Sequence, residues 1–164
     1  MNSKPIVGIS ACLLGEPVRF NGGHKRDQWI VKELGQWVDW HPVCPEVEMG
    51  LGVPRESMRL QRRTRNSKVE LLGVRSKENF TSVAKETSKA IVRRLPSQIN
   101  GFVLKNRSPS CGLERVKVYD HNQSPFNNGV GFFAQQLIKG FPDIPMAEEG
   151  RLTQSSFREH FVLR

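Results

Sequence analysis

The sequence predicts one α/β domain built on a parallel sheet, and three features carry that expectation. Short β-branched runs alternate with helical stretches, as where Ile6-Val7-Gly8-Ile9-Ser10 precedes a helical pattern around Ile30. The 164 residues, 37% hydrophobic and 25% charged, suit a single ordinary core. No internal repeat or low-complexity tract breaks the alternation.

Each element has a local reason. Residues 6–10 are compact and apolar enough for a buried parallel strand. Asp27 is placed to cap a helix carrying Ile30, Val31 and Leu34, which Gly35 stops. Residues 37–43 form a second expected strand, weakened at its end by Pro42, and residues 68–74 a third. The clearest helix spans residues 79–95, where Phe80, Val83, Ala84, Thr87, Ile91 and Leu95 share one face and Pro96 ends it. A fourth strand is expected at 101–105, followed by the loop Ser108-Pro109-Ser110-Cys111-Gly112. A helix over 130–139, capped by Gly140, and a short strand at 144–147 complete the alternation, which implies right-handed crossovers.

Two stretches stand apart. Arg55, Arg59, Arg62, Arg63, Arg65 and Lys68 face the single Glu56, and this run reads as an exposed loop or short helix. The final residues 157–164 read as the opening of an amphipathic helix that is cut short. The expected division is therefore a domain over residues 1–152, with 153–164 as a linker or the start of a truncated helical C-terminal domain.

Lys plus Arg number 25 against 16 Asp plus Glu, a net charge of +9. That excess points to a polyanionic partner, and to RNA in particular with Phe126, Phe132 and Phe133 available for stacking. The alternative is a solvated basic face. No apolar run approaches the ~20 residues of a membrane helix. The N-terminus lacks a signal-peptide layout, so a soluble, cytoplasmic protein with no membrane partner is expected.

The three cysteines carry the chemistry. Cys12, Cys44 and Cys111 contain no Cys-x-x-Cys pair, which excludes a zinc ribbon or thioredoxin-type motif. Each follows an expected strand, and the carboxyl ends of parallel strands form the binding crevice of an open sheet. If those strands are neighbours, three thiols meet in one crevice. Free cysteines also serve as buried small hydrophobes. Three thiolates can hold a zinc ion with water in its fourth position, or an iron–sulfur cluster with one iron lacking a protein ligand. Either leaves a position open to substrate.

Nearby residues supply further candidates. Glu46, two residues after Cys44, offers a general acid or base, or else a solvated loop charge like Glu48. Ser108 and Ser110 offer hydroxyls to a substrate, or plain turn chemistry. The loop Asn21-Gly22-Gly23-His24-Lys25 can deliver His24 or Lys25 to an anionic ligand, or simply turn the chain.

Together, Ile9-Ser10-Ala11-Cys12-Leu13-Leu14-Gly15, Val18-Arg19-Phe20, Gly22-Gly23-His24-Lys25, Pro42-Val43-Cys44-Pro45-Glu46 and Ser108-Pro109-Ser110-Cys111-Gly112 resemble the thiouracil desulfidase (TudS-like) family. The resemblance implies a Rossmann-like α/β fold and a 4Fe–4S cluster on Cys12, Cys44 and Cys111. It implies removal of sulfur from thiouracil or 4-thiouridine as hydrogen sulfide without net redox change, with Glu46 and Ser108 catalytic; Ser110, His24 and Lys25 are the substrate-binding candidates read from their own loops. It further implies tRNA as a partner of two-domain relatives, and the charge pattern makes Arg55, Arg59, Arg62, Arg63 and Arg65 the candidate nucleic-acid-binding surface. The competing readings are a non-catalytic basic RNA-binding module with structural or zinc-binding cysteines, and a three-cysteine zinc hydrolase.

Overall fold

Ile6–Ser10 (β1) is the strand about which the rest is arranged. In the computed structural model, which describes residues 3–163, it lies inside a four-stranded parallel sheet. In chain order the elements are β1, α1 (Gln28–Lys32), β2 (Asp39–Val43), α2 (Pro45–Glu48), β3 (Met58–Gln61), β4 (Glu70–Gly73), α3 (Thr81–Arg94), β5 (Ile99–Leu104), β6 (Val116–Tyr119), β7 (Pro125–Gly129), α4 (Phe132–Gly140), β8 (Met146–Glu148) and α5 (Ser155–Leu163). The parallel sheet runs β2-β1-β5-β8. The chain moves one way from β1 to β2 and then resumes on the other side with β5, so a topological switch point lies between β1 and β5.

Helices cover both faces of this sheet. On one, Ile30 and Leu34 pack with Val7, Ile9 and Val103, joined by Phe161 of α5. On the other, Ile91 and Leu95 of α3 and Phe133 and Leu137 of α4 close over Phe102 and Leu104. Burying a Phe or Leu side chain contributes about 1.5–3 kcal/mol, so these two layers hold the sheet. Asp27 caps α1 as expected, its Oδ1 accepting from the Ile30 N–H at 3.0 Å. The α3 helix starts where Asn79 Oδ1 accepts from the Thr81 N–H, and it stops at Leu95, which turns extended before Pro96. A short 3₁₀ turn, Ala11–Leu14, follows β1 and ends on Gly15 at φ 96°, a left-handed conformation that glycine adopts freely.

Several expectations need correction. The third expected strand does not join the parallel sheet: β4 pairs antiparallel with β3 in a second four-stranded sheet of order β4-β3-β6-β7. The arginine-rich stretch is not simply a loop or helix, because it contains β3, whose Met58 and Leu60 are buried in the core of that sheet. Arg59 on its other face lies over the Tyr119 ring at 4.4 Å, and Arg62 donates to the Ser67 carbonyl at 2.5 Å. Arg63 and Arg65 remain exposed, Arg63 pairing with Glu70 at 3.1 Å. Phe132 and Phe133 are core residues and present no stacking surface; Phe126 is exposed. The second strand begins at Asp39 rather than Trp37, which is 70% exposed.

Among the described residues, no helix is long and apolar enough to cross a membrane.

Gly8 sits mid-strand against the Phe102 ring, and a Cβ built there would overlap the ring carbons. Gly8→Ala is expected to cost roughly 1–3 kcal/mol through overpacking, measured as a lower urea midpoint. Adding Phe102→Leu should recover part of that loss; equal losses with and without it would show that the ring is not the obstacle.

Candidate active site

The strand order that was only conditional in the sequence is present: β2, β1 and β5 are adjacent. Cys12 lies in the 3₁₀ turn after β1, and Cys44 directly follows β2 at the N-terminus of α2. Cys111 lies in the loop after β5. All three line one cavity of about 410 Å³ at the carboxyl end of the sheet. The Cys111 loop is folded by its own serine, since Ser108 Oγ accepts from the backbone N–H groups of Cys111 and Ser110 at 3.0 and 3.2 Å.

Around the thiols stand the groups that could move protons. Glu46 projects from the single turn of α2 into the same cavity. The buried Ser110 hydroxyl donates to Glu46 Oε1 at 3.2 Å, and Arg55 pairs with Oε2 at 2.8 Å. Ser108 and Lys25 also line the cavity. His24 does not; its Nδ1 accepts from the Arg26 N–H at 3.1 Å in the exposed loop beside the site. Arg55 is not a surface arginine either, being 6% exposed and part of the cavity wall.

Three contributors escaped the sequence reading. Ser10 closes β1, is buried, and its Oγ accepts from the Lys105 N–H at 3.0 Å. Lys105 follows β5, lines the cavity, and pairs with Glu149 at 2.5 Å. Phe20, 37% exposed, also lines the cavity. The strand-end position that singled out the cysteines applies equally to Ser10 and Lys105.

Burial dominates the electrostatics. It pushes the Cys12 thiol up to about 11, opposed by the neighbouring Lys105 ammonium. Cys44 and Cys111 are raised as well, chiefly by burial. Charge on Cys44 raises Cys12, and charge on Cys12 or Cys44 raises Cys111, so the thiols sense one another across the cavity. A soft cation bound among them removes this penalty and displaces the thiol protons. The donor set suits such a group: three thiols face one cavity, and soft thiolate ligands select zinc, copper(I) or iron–sulfur clusters. Among the described residues no three His, Cys, Asp or Glu side chains come close enough to share a single metal ion.

An α/β sheet with three thiols and a hydrogen-bonded carboxylate at its switch point makes a candidate thiolate metal centre. The comparison with known families specifies it: the model described as 2-thiouracil desulfurase matches residues 7–149, and the chain belongs to that family. It is also similar to a solved structure, the 4Fe–4S-dependent thiouracil desulfidase TudS. The two share 25% identity at a TM-score of 0.69, over 99% of this chain and 100% of that one. No curated protein matches the chain.

In the metal-free protein, thiol reagents are expected to label half-buried Cys44 first, then Cys12, with Cys111 slowest. Labelling of Cys12 should accelerate with pH towards about 11. Peptide mass spectrometry checks the order, and fastest labelling of Cys111 would contradict the burial argument. The sign for stability follows. A thiol raised on folding contributes stability below its unfolded value of 9.0, and that contribution is lost as pH rises through about 11. Metal-free protein should therefore weaken across that interval in pH-dependent urea melts.

Proposed function

We propose that this chain is a 4Fe–4S-dependent desulfidase that removes sulfur from thiolated uracil and releases hydrogen sulfide. The observation that carries the reading is the meeting of Cys12, Cys44 and Cys111 on one cavity with the Glu46–Ser110 pair. Family membership and the likeness to TudS support it.

The reaction is hydrolytic and needs no oxidant. A C=S bond is replaced by C=O, water supplies the oxygen, and both of its protons leave with the sulfur. Cys12, Cys44 and Cys111 would hold the cluster, leaving one iron without a protein ligand. When bound, that iron supplies a Lewis acid for the soft thiocarbonyl sulfur.

The chain's own residues do the rest. Glu46 Oε1, beside the Ser110 hydroxyl, takes a proton from the attacking water and returns one to the departing sulfur. Ser108 Oγ already accepts two backbone N–H groups, so its own proton is available to donate to the pyrimidine. Lys25 and Phe20 line the same cavity and are placed to contact the base. His24, outside the cavity, has no part in this scheme.

The finer proposal is that the base is presented as 4-thiouridine in tRNA. The net charge of +9 and exposed Arg63 and Arg65 favour that form. Rates on free 4-thiouracil, 4-thiouridine and thiolated tRNA distinguish the forms. Equal rates on base and tRNA would remove the RNA element.

Anaerobic reconstitution followed by a sulfide assay tests the main reading. Cys111→Ala is expected to abolish iron uptake and sulfide release together. Glu46→Gln should keep its iron and lose roughly 100- to 10,000-fold in kcat, the usual scale for a general acid–base group. A colourless anaerobic protein with stoichiometric zinc would overturn the proposal, and full turnover by Glu46→Gln would overturn the role of Glu46.

A further inference from the structure

We propose that Arg55 is the positioning residue of the site, fixing the Glu46 carboxylate so that one chosen oxygen faces the reacting groups. The inference rests on the reading of Glu46 as the acid–base group, and it goes beyond it by naming what orients that group.

The geometry is specific. Arg55 Nε donates to Glu46 Oε2 at 3.0 Å, and Nη2 approaches the same oxygen at 2.8 Å. The remaining reach of the guanidinium goes to backbone: Nη2 donates to the Val18 carbonyl at 2.9 Å and Nη1 to the Gly52 carbonyl at 2.9 Å. Its own backbone N–H is bound to the Phe20 carbonyl at 2.8 Å. With its side chain 6% exposed and its Nε, Nη1 and Nη2 all engaged, Arg55 is held away from solvent. A guanidinium pinned on both sides to main chain makes a rigid fork, and the fork occupies Oε2.

What remains for Glu46 is therefore decided. Its Oε1 meets the Ser110 hydroxyl at 3.2 Å and is the oxygen left for chemistry. Without Arg55 the carboxylate would hang by flexible bonds from a helix of one turn, which cannot hold it to the tolerance that proton transfer needs. The Val18 carbonyl that receives Arg55 also receives the Cys44 thiol at 3.9 Å. One backbone group thus ties the carboxylate's holder to a thiol of the cavity. Lysine at this position would supply the charge but not the planar fork, so orientation and charge can be separated by substitution.

The experiment compares reconstituted wild type, R55Q, R55K, E46Q and R55Q/E46Q. R55Q is expected to lose roughly 10- to 100-fold in kcat, with KM within about threefold and a wild-type iron content. R55K should recover only part of the loss. The double variant should be no slower than E46Q, because Arg55 acts through Glu46. Wild-type kcat in R55Q or in iron-loaded R55K overturns the proposal, as do losses that multiply in the double variant. If R55Q fails to fold or load iron, R55K alone decides.

A readout free of turnover comes from urea unfolding of the metal-free proteins. The stability losses of R55Q and E46Q are expected to be less than additive in the double variant, and strict additivity overturns the proposal. Should the wild type release no sulfide, the desulfidase reading fails. The unfolding cycle still decides whether the two side chains are held as a pair.

Discussion

Parallel pairing of β1 with β2 on one side and β5 on the other is the constraint from which the site follows. Ser10 lies opposite Val43, and Ile9 opposite Val103, so the three strands finish nearly level. Whatever follows them in sequence is delivered to the same end of the sheet. Cys12 arrives on a 3₁₀ turn, Cys44 on the first turn of α2, and Cys111 on a loop closed by Ser108. The glycine at position 8 admits the Phe102 ring between the sheet and its helices, and this sets how closely the site-bearing strands lie against the α3–α4 layer.

The crevice combines low solvent access with several charges, and each has an answer. Arg55 and Glu46 form a short forked pair; Lys105 Nζ pairs with Glu149 Oε1, and the Asn106 N–H adds a second contact, to Glu149 Oε2, at 2.8 Å. Buried pairs of this kind hold only where further hydrogen bonds complete both partners, as they do here. Burial raises all three thiols, and the Cys44 thiol donates to the Val18 carbonyl at 3.9 Å. Arg19, Lys25 and Arg107 also line the cavity, which gives its walls an excess of positive charge over the single carboxylate of Glu46. That field favours an anionic thiol cluster and lowers the cost of developing negative charge on a departing sulfur.

How much of this could be read from the sequence depended on whether the relevant signal was local. β1, the Asp27 cap, the long amphipathic α3 helix and the strand-end cysteines all show themselves within a few residues. β3 did not, because only Met58 and Leu60 mark its buried face amid arginines, and its parallel partner β6 is remote in sequence. β7, Pro125-Phe126-Asn127-Asn128-Gly129, has the composition of a turn and becomes a strand through its pairing with β6. The same limit governs charge. A count of arginines cannot tell Arg55, neutralised by Glu46 inside the cavity, from exposed Arg65. Lys105 was equally hidden, since its partner Glu149 lies 44 residues away. For His24 a glycine-rich loop suggested reach, and in the folded loop its Nδ1 accepts from the Arg26 N–H.

The central claim is that three cysteines hold a cluster whose remaining iron is open to the substrate sulfur. Mössbauer spectroscopy of the anaerobically reconstituted, iron-57-enriched protein, with and without 4-thiouracil, addresses it most directly. The expected spectrum has about four irons per chain, with one site distinct from the other three, and only that site shifts when thiouracil is added. Four irons that all ignore thiouracil, or a protein that takes up no cluster with its three thiols intact, would contradict it.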